Sequence, residues 1–319
     1  MKVLKFLGYG LLTLLAVAVC AALAASWVYR DIPAEVLEAR YVSPASRFIN
    51  IDGVRLHYHA EGNGPPVLLI HANFASLIGW DPWVEALQDA YRVIRFDMPS
   101  HGLTGPDPSG DYTLERTIAL TERLVDALRL ERFTIGGTSL GGTVAIHYAA
   151  RHPDRIDKLL LLSPGSLEGR ERTEGPRRTT VPRVARVLEY ILPRELPEFM
   201  LRNAYGEESK LTDEVIDRWH DMWLREGQRR AQLTRLSQYR AGDIEGVIRS
   251  IQVPTLLMWG EANPQAPIDQ GHEILELLEN AESVRFIGYP GVGHMAVQEA
   301  GQEIGRDVRA YLDGTLAED

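Results

Sequence analysis

Cysteine is almost absent from this 319-residue chain, and basic residues do not outnumber acidic ones. The single cysteine, Cys20, cannot close an intramolecular disulfide, and no cysteine and histidine cluster has the spacing of a metal site. The 34 lysine and arginine residues against 44 aspartate and glutamate residues give a formal net charge of -10. Without a basic excess there is no broad positive field to attract phosphate backbones. A disulfide scaffold is therefore excluded, and nucleic acid is not expected as a partner.

Charge is also missing from a long apolar run near the amino terminus, residues 6–29, which follows Lys2 and Lys5. A helix rises about 1.5 Å per residue, so this run is long enough to cross a bilayer core of roughly 30 Å. We predict an N-terminal membrane anchor over residues 1–30 with a transmembrane helix in residues 6–29. A cleaved signal peptide is the alternative, because residues 22–24 read Ala-Leu-Ala, a small-residue cleavage pattern.

The charges that flank this run predict an orientation. Two lysines precede it, whereas Arg30 is offset by Asp31 on the other side. The positive-inside rule then places the amino terminus in the cytoplasm and the globular domain outside it, in the periplasm or the extracellular space.

The remainder of the chain alternates short apolar runs with longer amphipathic segments. Predicted strands lie at Phe48–Ile51, Val54–His59, Val67–Ile70, Val93–Phe96, Phe133–Ile135, Leu159–Leu162, Thr255–Trp259 and Val284–Ile287. Continuous apolar strands are typical of a parallel sheet that is buried on both faces. Tyr112–Leu130 and Val297–Leu312 carry apolar residues at helical spacing. The pattern predicts an α/β fold with a mostly parallel, doubly wound sheet.

One stretch interrupts this alternation and divides the predicted domain. Residues 166–250 contain no convincing strand and read as several helices, which we interpret as a helical cap. We therefore expect a linker over residues 31–46, a core in two parts over residues 47–165 and 251–319, and the cap inserted between them.

The clearest chemical motif lies directly after the fifth predicted strand. Gly137-Thr138-Ser139-Leu140-Gly141 is a G-x-S-x-G sequence in a strand-turn-helix setting, the pattern of a nucleophile elbow. Glycines on both sides of Ser139 are needed because the turn is tight. Ser139 then lies at the start of a helix, where the helix dipole favours developing negative charge.

Together with three further motifs, this elbow resembles the α/β-hydrolase superfamily over about Phe48 to Leu312. His71 ends a strand as in the family's His-Gly oxyanion loop, residues 96–102 resemble its D-x-P-G-x-G segment, and Gly291-Val292-Gly293-His294 resembles its histidine loop. The resemblance implies that Ser139 is the nucleophile and His294 is the base and later the acid. It also implies that the backbone N–H groups of Leu140 and Asn73 form the oxyanion hole.

The serine chemistry also requires a base, independently of the family. A serine hydroxyl is a weak nucleophile until a base accepts its proton. His294 follows the last predicted strand in a glycine-rich loop, whereas most other histidines have simpler structural interpretations. His101 is the alternative base.

The acid position departs from the family pattern. The family usually has aspartate in a phrase such as W-G-x-x-D, but here the phrase is Trp259-Gly260-Glu261-Ala262-Asn263. We expect the side-chain oxygen of Asn263 to accept the Nδ1–H bond of His294 and so to hold its orientation. Asn263 supplies no negative charge to stabilise the His294 imidazolium that forms when Ser139 attacks. Asp269 is the alternative acid, with Glu261 as a further candidate on the same loop.

Two further departures lie in the same neighbourhood. Ala72 and Ser100 stand where the family usually has glycine. Both lower the expectation of a generic, fast esterase.

The expected activity is hydrolysis of a carboxylic ester or lactone through an acyl-enzyme, with no cofactor and no metal. The expected partner is a small ester-like substrate. Carbon–carbon bond hydrolysis of a diketone-like substrate is the enzymatic alternative, because Ser139 suits both. A catalytically weakened binding module is the other alternative, because of Asn263.

Overall fold

A computed structural model describes residues 2–165, 181–240 and 242–316 of the chain. The strands are β1 Ser46–Ile51, β2 Val54–Glu61, β3 Pro66–Ile70, β4 Arg92–Phe96, β5 Phe133–Ser139, β6 Ile156–Pro164, β7 Thr255–Gly260 and β8 Val284–Tyr289. The α-helices are α1 Lys2–Val28, α2 Ala34–Tyr41, α3 Asp81–Leu87, α4 Leu114–Ala127, α5 Leu140–Arg151, α6 Glu195–Arg202, α7 Asp213–Trp223, α8 Gln228–Gln238, α9 Ile244–Arg249, α10 Ile268–Leu277, α11 Ala296–Glu299 and α12 Gly301–Asp313.

The strands form one eight-stranded sheet in the order β1-β2-β4-β3-β5-β6-β7-β8. Strand β2 pairs antiparallel with β1 and β4, and every later pair is parallel. The predicted α/β fold with a mostly parallel sheet is confirmed. The antiparallel edge begins with a hairpin in which Asp52 (φ 49°) and Gly53 (φ 84°) form the tight turn that this dipeptide predicts.

The sheet is buried on both faces, as its continuous apolar strands require. All seven residues of β5 are buried. Helices α4, α5, α9 and α10 cover one face over a cluster that includes Ile135 and Trp259, and α3 and α12 cover the other over a cluster that includes Leu69 and Met258. The parallel strands therefore end together at one edge of the sheet, where loops can carry a site.

The amino-terminal segment is helical, but the predicted transmembrane helix in residues 6–29 is not supported. The structure forms α1 over Lys2–Val28, as a run without proline favours. Within the described residues, however, no helix combines the length and the apolar character that crossing a bilayer requires. The orientation and location predicted for the globular domain depended on this anchor and stay predictions.

The predicted linker over residues 31–46 packs against the cap. Leu37 of α2 is fully buried in a cluster with Leu103 and Met222. The Ile32 N–H group donates to the Leu224 carbonyl at 2.7 Å. The segment therefore ties the junction between α7 and α8 to the core.

Among the described cap residues, the secondary-structure elements are helices. Helices α6 to α9 and 3-10 turns at Arg183–Glu189 and Glu208–Lys210 lie between β6 and β7. Residues 166–180 of the predicted cap lie outside the described residues. The division at residues 166–250 stays a prediction.

Candidate active site

Ser139 lies where β5 ends and α5 begins. Its backbone angles, φ 49° and ψ -121°, belong to a region that residues with side chains rarely adopt. Backbone strain of this kind persists only where the surrounding structure holds it, and it is concentrated at functional sites. The residue is 9% exposed. The predicted elbow therefore has the strained geometry that presents a serine hydroxyl above a sheet.

The glycines of this elbow are required by close backbone contacts. A Cβ on Gly137 would lie 2.3 Å from the backbone of Gly141. A Cβ on Gly141 would lie 2.1 Å from the carbonyl oxygen of Ile70. Neither neighbour can move aside as a flexible side chain would, so the turn excludes every other residue at these positions.

The two predicted oxyanion donors lie on adjacent elements. Leu140 is the first residue of α5, so its N–H group has no acceptor within the helix. Asn73 lies in the loop between β3 and Leu77, residues 71–76, which we call the oxyanion loop after its predicted role. His71 holds this loop from inside. Its Nδ1–H group donates to the Ala72 carbonyl at 2.7 Å, and its Nε2 accepts the Met98 N–H bond at 3.0 Å.

Both ring nitrogens of His101, the alternative base, form hydrogen bonds with backbone groups. Its Nδ1–H group donates to the Pro99 carbonyl at 3.0 Å, and its Nε2 accepts the Phe74 N–H bond at 3.0 Å. Burial and the nearby charge of Arg235 hold the pKa of His101 well below its ordinary value. His101 is thus committed to holding the oxyanion loop.

His294 lies in the loop after β8 and is 7% exposed. Its backbone N–H group donates to the Ala204 carbonyl of the cap at 2.6 Å. One cavity is lined by His294, by Ala72 of the oxyanion loop and by Thr138, the residue before Ser139. The structure therefore brings the histidine loop, the oxyanion loop and the elbow to one place.

Asn263 contacts His294 directly, and its amide orientation is fixed by a turn. The backbone N–H groups of Gln265 and Ala266 both donate to the Asn263 Oδ1 atom at 3.0 Å. Backbone N–H groups can only donate, so the atom that they meet must be the amide oxygen. The Nδ2 group of Asn263 is thereby turned toward His294 Nδ1, at 3.0 Å.

This orientation reverses the expected hydrogen bond. We expected Asn263 to accept a bond from His294, and that expectation is wrong, because the backbone of the same turn already occupies the amide oxygen. Instead Asn263 donates and His294 Nδ1 accepts. A neutral imidazole that accepts at Nδ1 carries its proton on Nε2. In the roles predicted above, Nε2 is the nitrogen that takes the proton of Ser139, and in this arrangement it is already protonated.

The other candidate acids lie elsewhere. Asp269 is exposed in the first turn of α10. Glu261 is also exposed, and its carboxylate lies beside Gly288 of β8. Among the described residues, Asn263 is the side chain that hydrogen-bonds with His294. In the same part of the chain no cluster of three or more histidine, cysteine, aspartate or glutamate residues could hold a metal ion.

Comparison with known proteins identifies the family. The family model described as alpha/beta hydrolase fold matches residues 65–300. The chain belongs to the α/β-hydrolase family. The family and the hydrolases among its relatives show that the chain is a hydrolase. It is 25% identical over 289 residues to the 2-hydroxy-6-oxo-6-(2'-aminophenyl)hexa-2,4-dienoic acid hydrolase of Metapseudomonas resinovorans. The alignment covers 87% of this chain and 93% of the relative.

Solved structures of α/β-hydrolases share the same fold. A serine hydrolase involved in carbazole degradation aligns with a TM-score of 0.72 at 25% identity, over 84% of this chain and 98% of that one. The enol-lactonase of Burkholderia xenovorans aligns with a TM-score of 0.71 at 24% identity, over 84% of this chain and 100% of that one. The match confirms the resemblance that the four motifs carried.

Burial of His294 predicts an unusual pH dependence for this α/β-hydrolase. Removal from water lowers the pKa of His294 to about 4. A general base works only when it is unprotonated, so activity is present above this pKa and is lost as the pH falls through it. If His294 is the general base, we expect kcat/KM for a hydrolysed substrate to stay level through pH 6 and to fall with a midpoint near pH 4. Circular dichroism at each pH checks that the protein stays folded, and a midpoint near pH 6.5 would contradict the prediction.

Two buried side chains at this site were missed by sequence reasoning. Glu299 accepts the N–H bonds of Gly293 (3.1 Å) and Gly206 (2.8 Å), so its carboxylate joins the histidine loop to the cap. Its position shortly after His294 was the available signal. Arg235 of α8 reaches the oxyanion loop. Its position in a helix rich in arginine gave no signal, because exposed arginines are the rule.

Proposed function

We propose that this α/β-hydrolase cleaves a carboxylic ester or lactone through an acyl-enzyme formed on Ser139. The observation that carries the proposal is the strained backbone of Ser139 between β5 and α5, with glycines that admit no side chain on either side. A hydroxyl presented in this way has one evident use, which is attack on an electrophilic carbon above the sheet.

The proposed steps follow from the residues around that hydroxyl. Ser139 Oγ bonds to the acyl carbon while its proton passes to His294 Nε2, and the N–H groups of Leu140 and Asn73 stabilise the oxyanion. The C–O bond to the leaving group then breaks, and His294 returns the proton to the departing oxygen. A water molecule repeats the sequence on the acyl-enzyme and releases the acid.

The protonated Nε2 of the resting site makes the first step slow. Before His294 can accept a proton there, it must move its own proton to Nδ1, opposite the Asn263 Nδ2 group. Two N–H groups then face each other, unless Asn263 turns and gives up two backbone hydrogen bonds worth about 1 kcal/mol each. We infer a low turnover number on simple esters.

Carbon–carbon bond hydrolysis is the second candidate, favoured by the relative in Metapseudomonas resinovorans. That protein is named for a 6-oxo-dienoic acid, a substrate in which a ketone and not an ester is the electrophile. The same Ser139 and oxyanion donors serve a ketone, and the bond that breaks after attack is then C–C. The described cap residues do not favour a ketone over an ester, so this second candidate rests on the relative's substrate alone.

Covalent labelling with a fluorophosphonate tests the serine mechanism directly. We expect the intact protein to take up one label at Ser139 and to hydrolyse p-nitrophenyl esters, and we expect Ser139→Ala to lose both properties. Ser76→Ala is the matched control, because Ser76 lines the same cavity away from the elbow and its loss should leave labelling intact.

The outcomes separate the candidates. Labelling with turnover of esters supports the first, and labelling with turnover of a 2-hydroxy-6-oxo-dienoate alone supports the second. Absence of Ser139 labelling in the intact protein would overturn both and would leave a binding module.

A further inference from the structure

Arg235 is a buried arginine that extends from the cap to the oxyanion loop. It lies in α8 and is 4% exposed. Its Nε–H group donates to Ser100 Oγ at 3.0 Å, and one terminal nitrogen donates to Asn73 Oδ1. The same nitrogen lies 2.5 Å from Gln232 Oε1 and 3.1 Å from His101 Nε2.

All four of these acceptors are uncharged. In the described part of the chain, no carboxylate hydrogen-bonds with the Arg235 guanidinium, and burial lowers the pKa of Arg235 to about 9. A buried cation without an opposite charge costs free energy, and buried charges are normally paired. Here the positive charge lies beside the loop that must stabilise an oxyanion.

The loop that Arg235 contacts has a strained backbone. Phe74 adopts φ 62°, a value that costs free energy for any residue with a side chain. Its N–H group is held by His101 Nε2, which also faces Arg235, and its carbonyl accepts the Trp223 Nε1–H bond of α7 at 3.3 Å. The cap therefore contacts this loop from α7 and from α8, at two adjacent residues.

Ser100 belongs to the same arrangement. Its φ of 69° is one that glycine adopts more easily, and the family pattern has glycine at this position. Serine adds a hydroxyl there, and that hydroxyl accepts the Arg235 Nε–H bond. The departure from the family pattern and the buried arginine thus form one contact.

We propose that Arg235 is a positioning residue that ties the cap to Asn73 and so fixes the backbone N–H group of Asn73 as an oxyanion donor. The inference rests on the proposed function, because the oxyanion arises in that reaction. Arg235 acts through Asn73 and need not touch the substrate.

Two measurements on Arg235→Met test the proposal, one of which needs no catalysis. Hydrogen–deuterium exchange should become faster in the peptide that contains Asn73 and Phe74. The kcat for a p-nitrophenyl ester should fall about tenfold or more, with KM nearly unchanged, since loss of a whole oxyanion donor costs about 10²–10³. Arg230→Met is the matched control, because Arg230 lies on the exposed face of the same helix and pairs with Glu189.

A double-mutant cycle separates positioning from cap stability. Asn73→Ala removes the Arg235 acceptor but keeps the backbone N–H group, so we expect a similar loss of kcat. The double variant should lose no more than either single variant, because both break the same contact. Asn73→Ala also keeps the test informative if Arg235→Met does not fold.

Three results would overturn the proposal: unchanged exchange in the Asn73 loop, unchanged kcat despite faster exchange, or additive losses in the double variant. If the intact protein shows no Ser139-dependent hydrolysis, the proposed function fails separately. The exchange data then decide alone whether Arg235 fixes the loop.

Discussion

Asn263→Asp is expected to raise kcat for ester hydrolysis by about 10²- to 10⁴-fold. A carboxylate has two acceptor oxygens and no N–H group. One oxygen can keep the Gln265 and Ala266 N–H bonds while the other accepts a bond from His294 Nδ1–H. The proton of His294 then resides on Nδ1, and Nε2 is free to accept the proton of Ser139. In a serine protease the reverse substitution lowers kcat by about 10⁴ for the same tautomeric reason.

The carboxylate should also change the pH profile. It stabilises the imidazolium that forms when Ser139 attacks, so the pKa of His294 should rise from its low value. The acid limb of kcat/KM is therefore expected to move to higher pH in Asn263→Asp. A faster enzyme with an unmoved acid limb would indicate a gain from another source.

Steady-state kinetics with one p-nitrophenyl ester measures this prediction. Asn50→Asp is the matched control, because Asn50 is exposed and its side-chain oxygen accepts the Gly53 N–H bond at 3.1 Å, which aspartate can keep. The substitution adds the same charge away from the site. Unchanged kcat in Asn263→Asp, together with loss of activity in Asp269→Ala, would contradict the role of Asn263 and assign the acid to Asp269.

Asp97→Ala is expected to lower the free energy of unfolding by about 3–5 kcal/mol. Asp97 is 1% exposed, and its carboxylate accepts bonds from His57 Nδ1 at 2.7 Å, Leu77 N–H at 2.8 Å and Leu103 N–H at 2.9 Å. Alanine leaves all three donors buried without an acceptor. Two of them belong to loops that flank the site, so activity should fall together with stability.

Urea denaturation at neutral pH measures that loss, with Asp157→Ala as the matched control. Asp157 is 43% exposed in a pair with Arg132, so its removal should cost within about 1 kcal/mol.

The stability that Asp97 provides should also depend on pH. Burial alone would raise the pKa of Asp97, but the hydrogen bond and charge of His57 and the backbone donor lower it to about 2. The stabilisation is thus present above pH 3.8 and is lost as the pH falls toward 2. Equal losses of unfolding free energy in Asp97→Ala and Asp157→Ala would contradict the stability prediction.

The strands and the elbow were predictable because their signals are local. Each apolar run between turn residues predicted a strand that the structure contains, and Gly137 and Gly141 predicted a tight turn from adjacent residues alone. The position of Asn263 was predictable from its place after β7. The direction of its amide was not, because it depends on where the Gln265 and Ala266 N–H groups point.

The contacts of the cap could not be predicted from the sequence, because they join residues that lie far apart in the chain. Arg235 meets Asn73 and Ser100 across more than a hundred residues of chain, and no local pattern indicates which arginine of an arginine-rich helix turns inward. The docking of Leu37 from the predicted linker is likewise a long-range packing event. Hydropathy alone also predicted a transmembrane helix in residues 6–29 that the described residues do not support.

The tautomer of His294 is the most direct measurement of whether Asn263 limits this active site. Long-range proton–nitrogen correlation NMR on histidine labelled with ¹⁵N distinguishes the two tautomers at pH 7, and His294→Gln assigns the signal. We expect the proton on Nε2 in the natural protein and on Nδ1 in Asn263→Asp. A proton on Nδ1 of His294 in the natural protein would show that Asn263 accepts the bond and would contradict the arrangement described above.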